Sequence, residues 1–178
     1  KYIEDLNRFD LVVTGSKWNQ RVIEAEGFKK SILIHQGIDP SRFNPVSVPR
    51  LINRSFIIFA GGKIEARKGQ DLIIAAFRKF LKFCPDALLI PCWANVGNIA
   101  LDTISLSSHV SSAPKNGDAN SIHHWLIEQG IGATNQFVPG VISNSQLPSL
   151  IKQADAAVFT SRCEGGTNLM AMETLACG

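Results

Sequence analysis

The chain has 178 residues, of which 45% are hydrophobic and 19% are charged, as in an ordinary globular protein. This length is enough for one full hydrophobic core, or for one domain and part of another. The formal net charge is +3 and the basic residues form no block, which argues against a nucleic-acid-binding protein. No apolar run approaches the length of a transmembrane helix, and the four cysteines form no CxxC pair, which disfavours a zinc site.

The first part of the chain alternates between short apolar runs and turn-forming residues. Residues 9–14 and 31–35 predict two strands, and Ser16 between them predicts the N-cap of a helix. Residues 37–45 contain two prolines, which limit regular structure. We expect residues 1–50 to form the end of one lobe and the crossover to a second lobe.

The rest of the chain follows a repeated order of strand, loop and helix. We predict strands at residues 56–60, 87–92, 136–138 and 156–160, and helices at residues 70–83, 121–129, 143–151 and 168–177. Residues 93–119 are weakly patterned and predict a long loop. This order of elements predicts an α/β fold with a parallel sheet and helices on both faces.

The loop at residues 61–69 contains two adjacent glycines and three cationic side chains, those of Lys63, Arg67 and Lys68. In open α/β sheets ligands bind beyond the carboxyl ends of the strands, and this loop follows a predicted strand. Glycines permit close approach of the backbone, and the N-terminus of the next helix offers unpaired N–H groups. The loop therefore suits a diphosphate, although it lacks the spacing of a Walker A or GxGxxG motif. A solvated basic turn explains this segment equally well by itself.

The loop at residues 162–173 leaves the last predicted strand and enters the last helix. It contains Glu164 before the helix, Glu173 within the helix, and the sequence Gly-Gly-Thr-Asn at residues 165–168. Paired glycines and a capping threonine or asparagine again suit a phosphate at a helix N-terminus. Two carboxylates that flank such a helix start are difficult to explain by packing alone.

Together these segments resemble the retaining glycosyltransferases of family 4, which have the two-lobed GT-B fold. The resemblance covers nearly all of the chain and lies in residues 10–16, 36–45, 59–69, 140–143, 154–155, 159–162 and 164–178. It implies that residues 1–50 are the end of the N-terminal lobe and the interdomain crossover. It also implies that residues 51–178 are a truncated, Rossmann-like donor-binding domain. The enzyme would transfer a sugar from a nucleotide-diphosphate sugar with retention of configuration.

The resemblance also implies roles for individual residues. Lys63 and Lys68 would bind the donor diphosphate and Glu164 would lie at the donor sugar, so these three are the expected catalytic residues. Glu173 would hydrogen-bond the ribose hydroxyls. The other donor-binding residues would be Gly62 and Arg67 in the first loop, Gly165, Gly166, Thr167, Asn168 and Leu169 in the second loop, and Val138, Pro139 and Gly140 beside the nucleobase.

Two departures from the family pattern are present. Eight residues separate Glu164 from Glu173, one more than is usual, and Gly-Gly-Thr-Asn replaces the usual Gly-Phe-Gly-Leu-Pro. Lys63 stands where arginine is usual. A lysine binds a phosphate as a point charge, whereas an arginine can grip it with two donors, so the affinity for the donor is expected to differ from that of the family.

The resemblance implies no cofactor and no obligatory metal ion, and the aspartates are scattered without a DxD pair. The expected partners are the nucleotide-sugar donor and a sugar, lipid or small-molecule acceptor, with no nucleic acid; the N-terminal lobe could add peripheral membrane contact. A cytoplasmic enzyme is expected, and this fragment alone is expected to be inactive because the acceptor site lies between lobes. Two alternatives stay open: an epimerase or phosphorylase of the same fold, and a non-catalytic nucleotide- or sugar-binding α/β module.

Overall fold

The computed structural model describes residues 2–178, which form two parallel sheets with helices packed around them. The strands are β1 (Val12–Thr14), β2 (Ser31–Leu33), β3 (Ile57–Gly62), β4 (Leu88–Trp93) and β5 (Ala156–Ala157). The α-helices are α1 (Tyr2–Leu6), α2 (Lys17–Ala25), α3 (Gln70–Phe80), α4 (Ala119–Glu128), α5 (Leu147–Ile151) and α6 (Leu169–Ala176). Short 3₁₀ segments lie at Ala66–Lys68, Val96–Asn98, Leu101–Leu106 and Ala133–Asn135. Within residues 2–178, no helix combines the length and the apolar character needed to cross a membrane.

The first sheet pairs β1 with β2 in parallel, with Val13 opposite Ile32. Helix α2 connects the two strands. The predicted N-cap is confirmed, because the Ser16 side chain accepts a hydrogen bond from the Asn19 N–H at 3.1 Å. The chain leaves α2 through Gly27, whose φ of 102° favours glycine. Both predicted strands are present, and each is shorter than predicted.

The second sheet has the order β4-β3-β5, and its strands are all parallel. Helices α3 and α4 cover one face, where the core contains Ala60, Leu89, Trp93, Ile74, Phe77, Ile122 and Trp125. Helices α5 and α6 cover the other face, where the core contains Ile57, Phe59, Leu88, Ile90, Leu147, Ile151 and Cys177. Alternate residues of each strand enter opposite cores, as a sheet buried on both faces requires.

The predicted strand at residues 136–138 is wrong. Gln136 forms a single bridge opposite Leu89 of β4, and the Phe137 N–H donates to the Leu89 carbonyl at 2.9 Å. Pairing then stops, because Pro139 has no N–H to donate and Gly140 adopts a φ of 71°.

Three other predicted elements around this sheet begin or end three or more residues from their predicted bounds. Strand β5 has two of the predicted five residues, although the Val158 N–H still donates to the Phe59 carbonyl at 2.9 Å. Helix α3 ends at Phe80 because the chain tightens into a turn before Pro85, which disfavours helix in the preceding residue. Helix α5 begins at Leu147, after a turn at residues 143–146, rather than at residue 143.

Residues 93–119, predicted to be a long loop, contain two of the 3₁₀ segments. Leu101 and Ile104 of the second of these segments are buried in the core beneath α3 and α4. Side chains three residues apart share one face of a 3₁₀ helix, so one short turn can bury such a pair. This 3₁₀ segment is not predictable from the sequence, because the surrounding residues are polar and two apolar positions do not establish a period.

Candidate functional site

The two loops that the sequence singles out meet at the carboxyl edge of the second sheet. Strand β3 leads into residues 61–69 and β5 leads towards residues 158–168, and parallel strands bring both loops to the same edge. The Arg162 N–H donates to the Arg67 carbonyl at 2.8 Å, and the Thr160 hydroxyl donates to the Gly69 carbonyl at 2.6 Å. The loops are therefore joined by hydrogen bonds as well as being adjacent.

A cluster of charged side chains lies where the two loops join. Lys68 Nζ lies 2.7 Å from each carboxylate oxygen of Glu164, and Arg67 Nη1 lies 3.0 Å from Glu164 Oε2. Glu164 also accepts hydrogen bonds from the Ser161 hydroxyl at 2.6 Å and the Asn168 amide at 3.1 Å. Burial alone would raise the pKa of Glu164, but the bonds from Lys68 and Ser161 and the neighbouring cations lower it overall. Glu164 is therefore an ionised and well-partnered carboxylate at neutral pH.

The path of the first loop depends on Gly69, which lies between the 3₁₀ segment Ala66–Lys68 and α3. Its φ is 74°, and a Cβ atom there would collide with the Thr160 carbonyl oxygen. Both the backbone conformation and this close approach exclude a side chain. Gly69 thereby lets the first loop lie directly against the second, with Lys68 facing Glu164.

The second loop is open where the first is tightly packed. A Cβ atom at Gly165 or Gly166 would meet no heavy atom within 4 Å, and neither glycine has a positive φ. Asn168 caps α6 by accepting a hydrogen bond from the Ala171 N–H at 3.2 Å. Within residues 2–178, the N–H groups of residues 165–167 have no hydrogen-bond acceptor. N–H groups that precede a helix and have no acceptor suit an anionic group, and packing within the described chain does not explain the two glycines.

The crossover reaches the site through Gln36, which follows β2. The Thr167 hydroxyl donates a hydrogen bond to the Gln36 side-chain oxygen. This contact joins the first sheet to the second loop of the site. Both residues belong to segments that carry the resemblance described above.

Two of the predicted site residues lie outside the charged cluster. The Lys63 side chain is exposed, and among residues 2–178 it forms neither a hydrogen bond nor an ion pair. Glu173 lies on α6, where burial raises its pKa. The structure does not bring either side chain to Lys68 and Glu164.

The segment expected to border the nucleobase lies farther along the same edge. Residues 136–137 pair with β4 on the side away from β3, so Val138, Pro139 and Gly140 follow at the carboxyl end. A Cβ atom at Gly140 would lie 3.2 Å from the Ala119 Cβ at the start of α4. Of the other expected residues, Gly62 ends β3 and Leu169 begins α6. The predicted donor-binding segments thus lie along one edge of the sheet.

A second ion pair, which the sequence does not predict, lies behind the cluster. Both oxygens of Asp71 bond the Arg162 guanidinium, at 2.7 and 2.6 Å. The Ser107 hydroxyl donates to Asp71 at 2.5 Å, and the Thr103 hydroxyl accepts from the Ala66 N–H at 3.1 Å. The available signal was an aspartate in the first turn of a predicted helix. Its partner is 91 residues away, and sequence spacing cannot pair residues at that separation.

Within the part of the chain that the structure describes, no group of three or more His, Cys, Asp and Glu side chains could hold a metal ion. The edge presents cationic side chains, a partnered carboxylate and, at residues 165–167, N–H groups without an acceptor in the described chain. Such an arrangement can bind an anion and stabilise negative charge that develops on it.

The chain matches no protein-family model and no curated protein, but it does match solved structures. TarM from S. aureus, solved in complex with fondaparinux, alpha-GlcNAc-glycerol and UDP, is 14% identical, with a TM-score of 0.66 over 98% of this chain and 30% of TarM. The C-terminal domain of the glycosyl transferase group 1 family protein LpcC from Francisella tularensis is 21% identical, with a TM-score of 0.56 over 79% of this chain and 66% of that domain. Sucrose-phosphate synthase from Thermosynechococcus elongatus is 21% identical, with a TM-score of 0.66 over 95% of this chain and 39% of the synthase.

At these identities the likeness establishes the fold. The predicted α/β architecture is confirmed: a Rossmann-like parallel sheet with helices on both faces, as in the C-terminal lobe of GT-B glycosyltransferases. The chain spans 30% of TarM and 39% of the synthase, so it corresponds to about a third of each.

Proposed function

We propose that this chain is the donor-binding part of a retaining glycosyltransferase, which transfers a sugar from a nucleotide-diphosphate sugar to an acceptor. The observation that carries the proposal is the junction of Lys68, Arg67 and Glu164 beside the N–H groups of residues 165–167, which have no acceptor within the described chain. This junction lies beyond the carboxyl ends of β3 and β5, where α/β folds bind ligands. The shared fold adds support, since the TarM structure is a complex with UDP.

The charges suit a departing diphosphate. In the proposed reaction the bond between the anomeric carbon and the β-phosphate oxygen breaks, and its electron pair stays on the diphosphate. Positive charge then develops on the sugar and negative charge on the leaving group. Cations and N–H groups fixed at the leaving group stabilise this state, and one preorganised donor contributes about 3–4 kcal/mol. The acceptor hydroxyl bonds to the anomeric carbon from the face that the diphosphate leaves, and its proton passes to a diphosphate oxygen.

In the proposed site Lys63 supplies a cation that is not already paired with a carboxylate. Lys68 and Arg67 are balanced by Glu164 and by Glu65, whose carboxylate lies 2.5 Å from Arg67 Nη2. Lys63 is exposed in the same loop, so it can turn towards a phosphate without breaking an existing ion pair. Lys63 therefore belongs to the proposed donor site although it lies outside the charged cluster.

Glu164 acts in this proposal through its charge. Its lowered pKa makes it a weak proton acceptor, so it does not suit the role of a general base. Its carboxylate holds the Lys68 ammonium at the edge of the sheet. In the proposed complex it would also face the positive charge that develops on the donor sugar. Glu173 at the ribose hydroxyls and residues 138–140 at the nucleobase complete the proposed donor site.

Calorimetric titration of the chain with UDP, GDP and ADP tests this proposal. We expect one of the three to bind, and Lys68→Ala to weaken that binding by at least about tenfold, because a hydrogen bond to a charged group is worth about 1.5–3 kcal/mol. Lys79→Ala is the matched control, since Lys79 is an exposed lysine on the solvent side of α3. Equal affinities in the two variants would contradict the assignment of Lys68. A folded chain that binds none of the three would contradict the donor-binding proposal.

A further inference from the structure

Arg162 lies two residues before Glu164 and bonds the first loop through both its backbone and its side chain. Its N–H donates to the Arg67 carbonyl at 2.8 Å, and its Nη1 donates to the Ala66 carbonyl at 2.6 Å. The same guanidinium bonds both oxygens of Asp71. One residue of the second loop therefore bonds the first loop at two points and the start of α3 at a third.

Asp71 keeps the Arg162 guanidinium in one orientation. The Asp71 side chain is 0% exposed, and a buried carboxylate is costly unless it is paired and hydrogen-bonded. Burial would raise the pKa of Asp71, but the hydrogen bonds from Arg162 and Ser107 lower it overall, so the carboxylate is ionised. A planar guanidinium bonded to both carboxylate oxygens has little freedom to turn.

The turn that Arg162 holds has little stability of its own. The 3₁₀ segment Ala66–Lys68 has three residues, and its N-cap residue Glu65 makes no side-chain capping bond. A 3₁₀ turn of this length depends on contacts outside itself. Arg67 and Lys68, two of the cations of the proposed donor site, lie on this turn, so their positions depend on what fixes it.

We propose that Arg162 is a positioning residue for the donor site. It fixes the Ala66–Lys68 turn so that Lys68 meets Glu164, and it thereby sets where the Lys68 ammonium lies when a donor diphosphate binds. Arg162 acts through the turn, because within the described chain it bonds neither Lys68 nor the Glu164 carboxylate. This inference rests on the proposed donor-binding function and adds a residue to it.

The opposite edge of the sheet provides a matched control. Arg50 binds the two Asp155 carboxylate oxygens through Nη1 and Nη2, at 2.6 and 3.0 Å, and Nη2 also donates to the Arg54 carbonyl at 3.0 Å. Asp155 in turn accepts from the N–H of Ile57, the first residue of β3. Like Arg162, Arg50 therefore forms a bidentate ion pair with an aspartate and donates to a main-chain carbonyl. It lies at the opposite end of β3 from Lys68.

A double-mutant cycle on UDP binding tests the inference, with GDP or ADP used instead if that nucleotide binds the parent chain. Calorimetry compares the parent chain with Arg162→Met, Lys68→Ala, the double variant and Arg50→Met. We expect Arg162→Met to weaken binding by about tenfold or more, since displacing a positioned group carries penalties of this order. In the Lys68→Ala background Arg162→Met should add little, because residues that act through one another are not additive. Arg50→Met should bind as the parent does.

Arg162→Lys serves as a second variant if Arg162→Met does not give a native circular dichroism spectrum. It keeps a cation beside buried Asp71, but an ammonium cannot bond two carboxylate oxygens and the Ala66 carbonyl in the guanidinium geometry. We expect it to fold and to bind less tightly than the parent chain. Parent-like binding by the Arg162 variants, or an equal loss in both Lys68 backgrounds, would overturn the inference and leave the donor site standing. No nucleotide binding by the parent chain would remove both.

Discussion

A bidentate arginine–aspartate pair lies at each end of the strands of the second sheet, at the amino edge and at the carboxyl edge. The two pairs fix different parts of the chain. At the amino edge, Arg50 and Asp155 direct their remaining hydrogen bonds to main-chain groups. At the carboxyl edge, Arg162 and Asp71 hold a turn that presents Lys68 to Glu164. An ion pair by itself therefore shows only that two chain segments are linked. A candidate binding site additionally needs charged groups and N–H groups that a ligand can reach.

Burial also differs between the two pairs. The Asp155 side chain is 28% exposed, whereas the Asp71 side chain is fully buried. Exposed ion pairs contribute little to stability, while unpairing a buried carboxylate is strongly unfavourable. The ion pair at the carboxyl edge is thus harder to break than the one at the amino edge. It lies beside a loop in which Gly165 and Gly166 are exposed. Rigid support beneath an open surface is what a preorganised site requires.

The largest expected effect comes from Gly69→Val at the carboxyl edge. The side chain would be strained at a positive φ and would collide with Thr160, so the free energy of unfolding should fall by roughly 3 kcal/mol or more. Urea denaturation followed by circular dichroism measures this. Gly165→Ala, placed in open space on the second loop, should change stability by less than about 0.5 kcal/mol. Similar losses in both variants would contradict the difference in packing between the loops.

Alanine variants of two buried glutamines should distinguish an effect on stability from an effect on UDP binding. Gln153 at the amino edge accepts from the Leu51 N–H at 2.6 Å, and Gln70 at the carboxyl edge donates to the Lys63 carbonyl. Changing either one to alanine should cost about 0.5–1.5 kcal/mol of stability for each hydrogen bond lost, because part-buried main-chain groups lose their partner. Gln70→Ala should also weaken UDP binding, since Lys63 lies on the first of the two loops proposed to bind the donor, while Gln153→Ala should not. Loss of UDP affinity in Gln153→Ala would show that the two edges are coupled.

Acid should lower the free energy of unfolding, because Asp71 and Glu164 at the carboxyl edge become protonated. Both pKa values are lowered in the folded chain, so their contribution to stability is present at neutral pH. It is lost as the pH falls from about 4 through the folded pKa values. Urea denaturation at a series of pH values should show this loss. Asp71→Asn should be less stable than the parent chain at neutral pH and should lose less on acidification; an unchanged acid dependence would count against the ionised pair.

The smallest expected effect is a gain in stability in Glu173→Gln. Burial raises the pKa of Glu173, so its ionised form is disfavoured in the folded chain at neutral pH. A neutral glutamine removes that penalty, and the gain should vanish in acid, where the carboxyl is protonated in both states. If Glu173 binds the ribose, the same variant should bind UDP less tightly than the parent chain. Higher stability together with unchanged UDP affinity would remove Glu173 from the donor site.

Long elements with a clear period were predictable from the sequence, and short or interrupted ones were not. Strands β3 and β4 and helices α3 and α4 lie within a few residues of their predicted positions, because their side chains are buried at regular spacing. The strand at residues 136–138 failed because one proline and one left-handed glycine stop the pairing after a single bridge. Residues 93–119 were missed because their buried positions follow no repeat.

The sequence by itself determined the α/β class and the two glycine-containing loops at the carboxyl ends of strands, because hydrophobic period and turn chemistry are local properties. The tertiary structure decided which charges meet. It brought Lys68 and Glu164 together, left Lys63 and Glu173 apart from them, and buried Asp71 against Arg162. Residues 91 or more positions apart in the chain become neighbours only through the register of parallel strands, and that register is a property of the whole core.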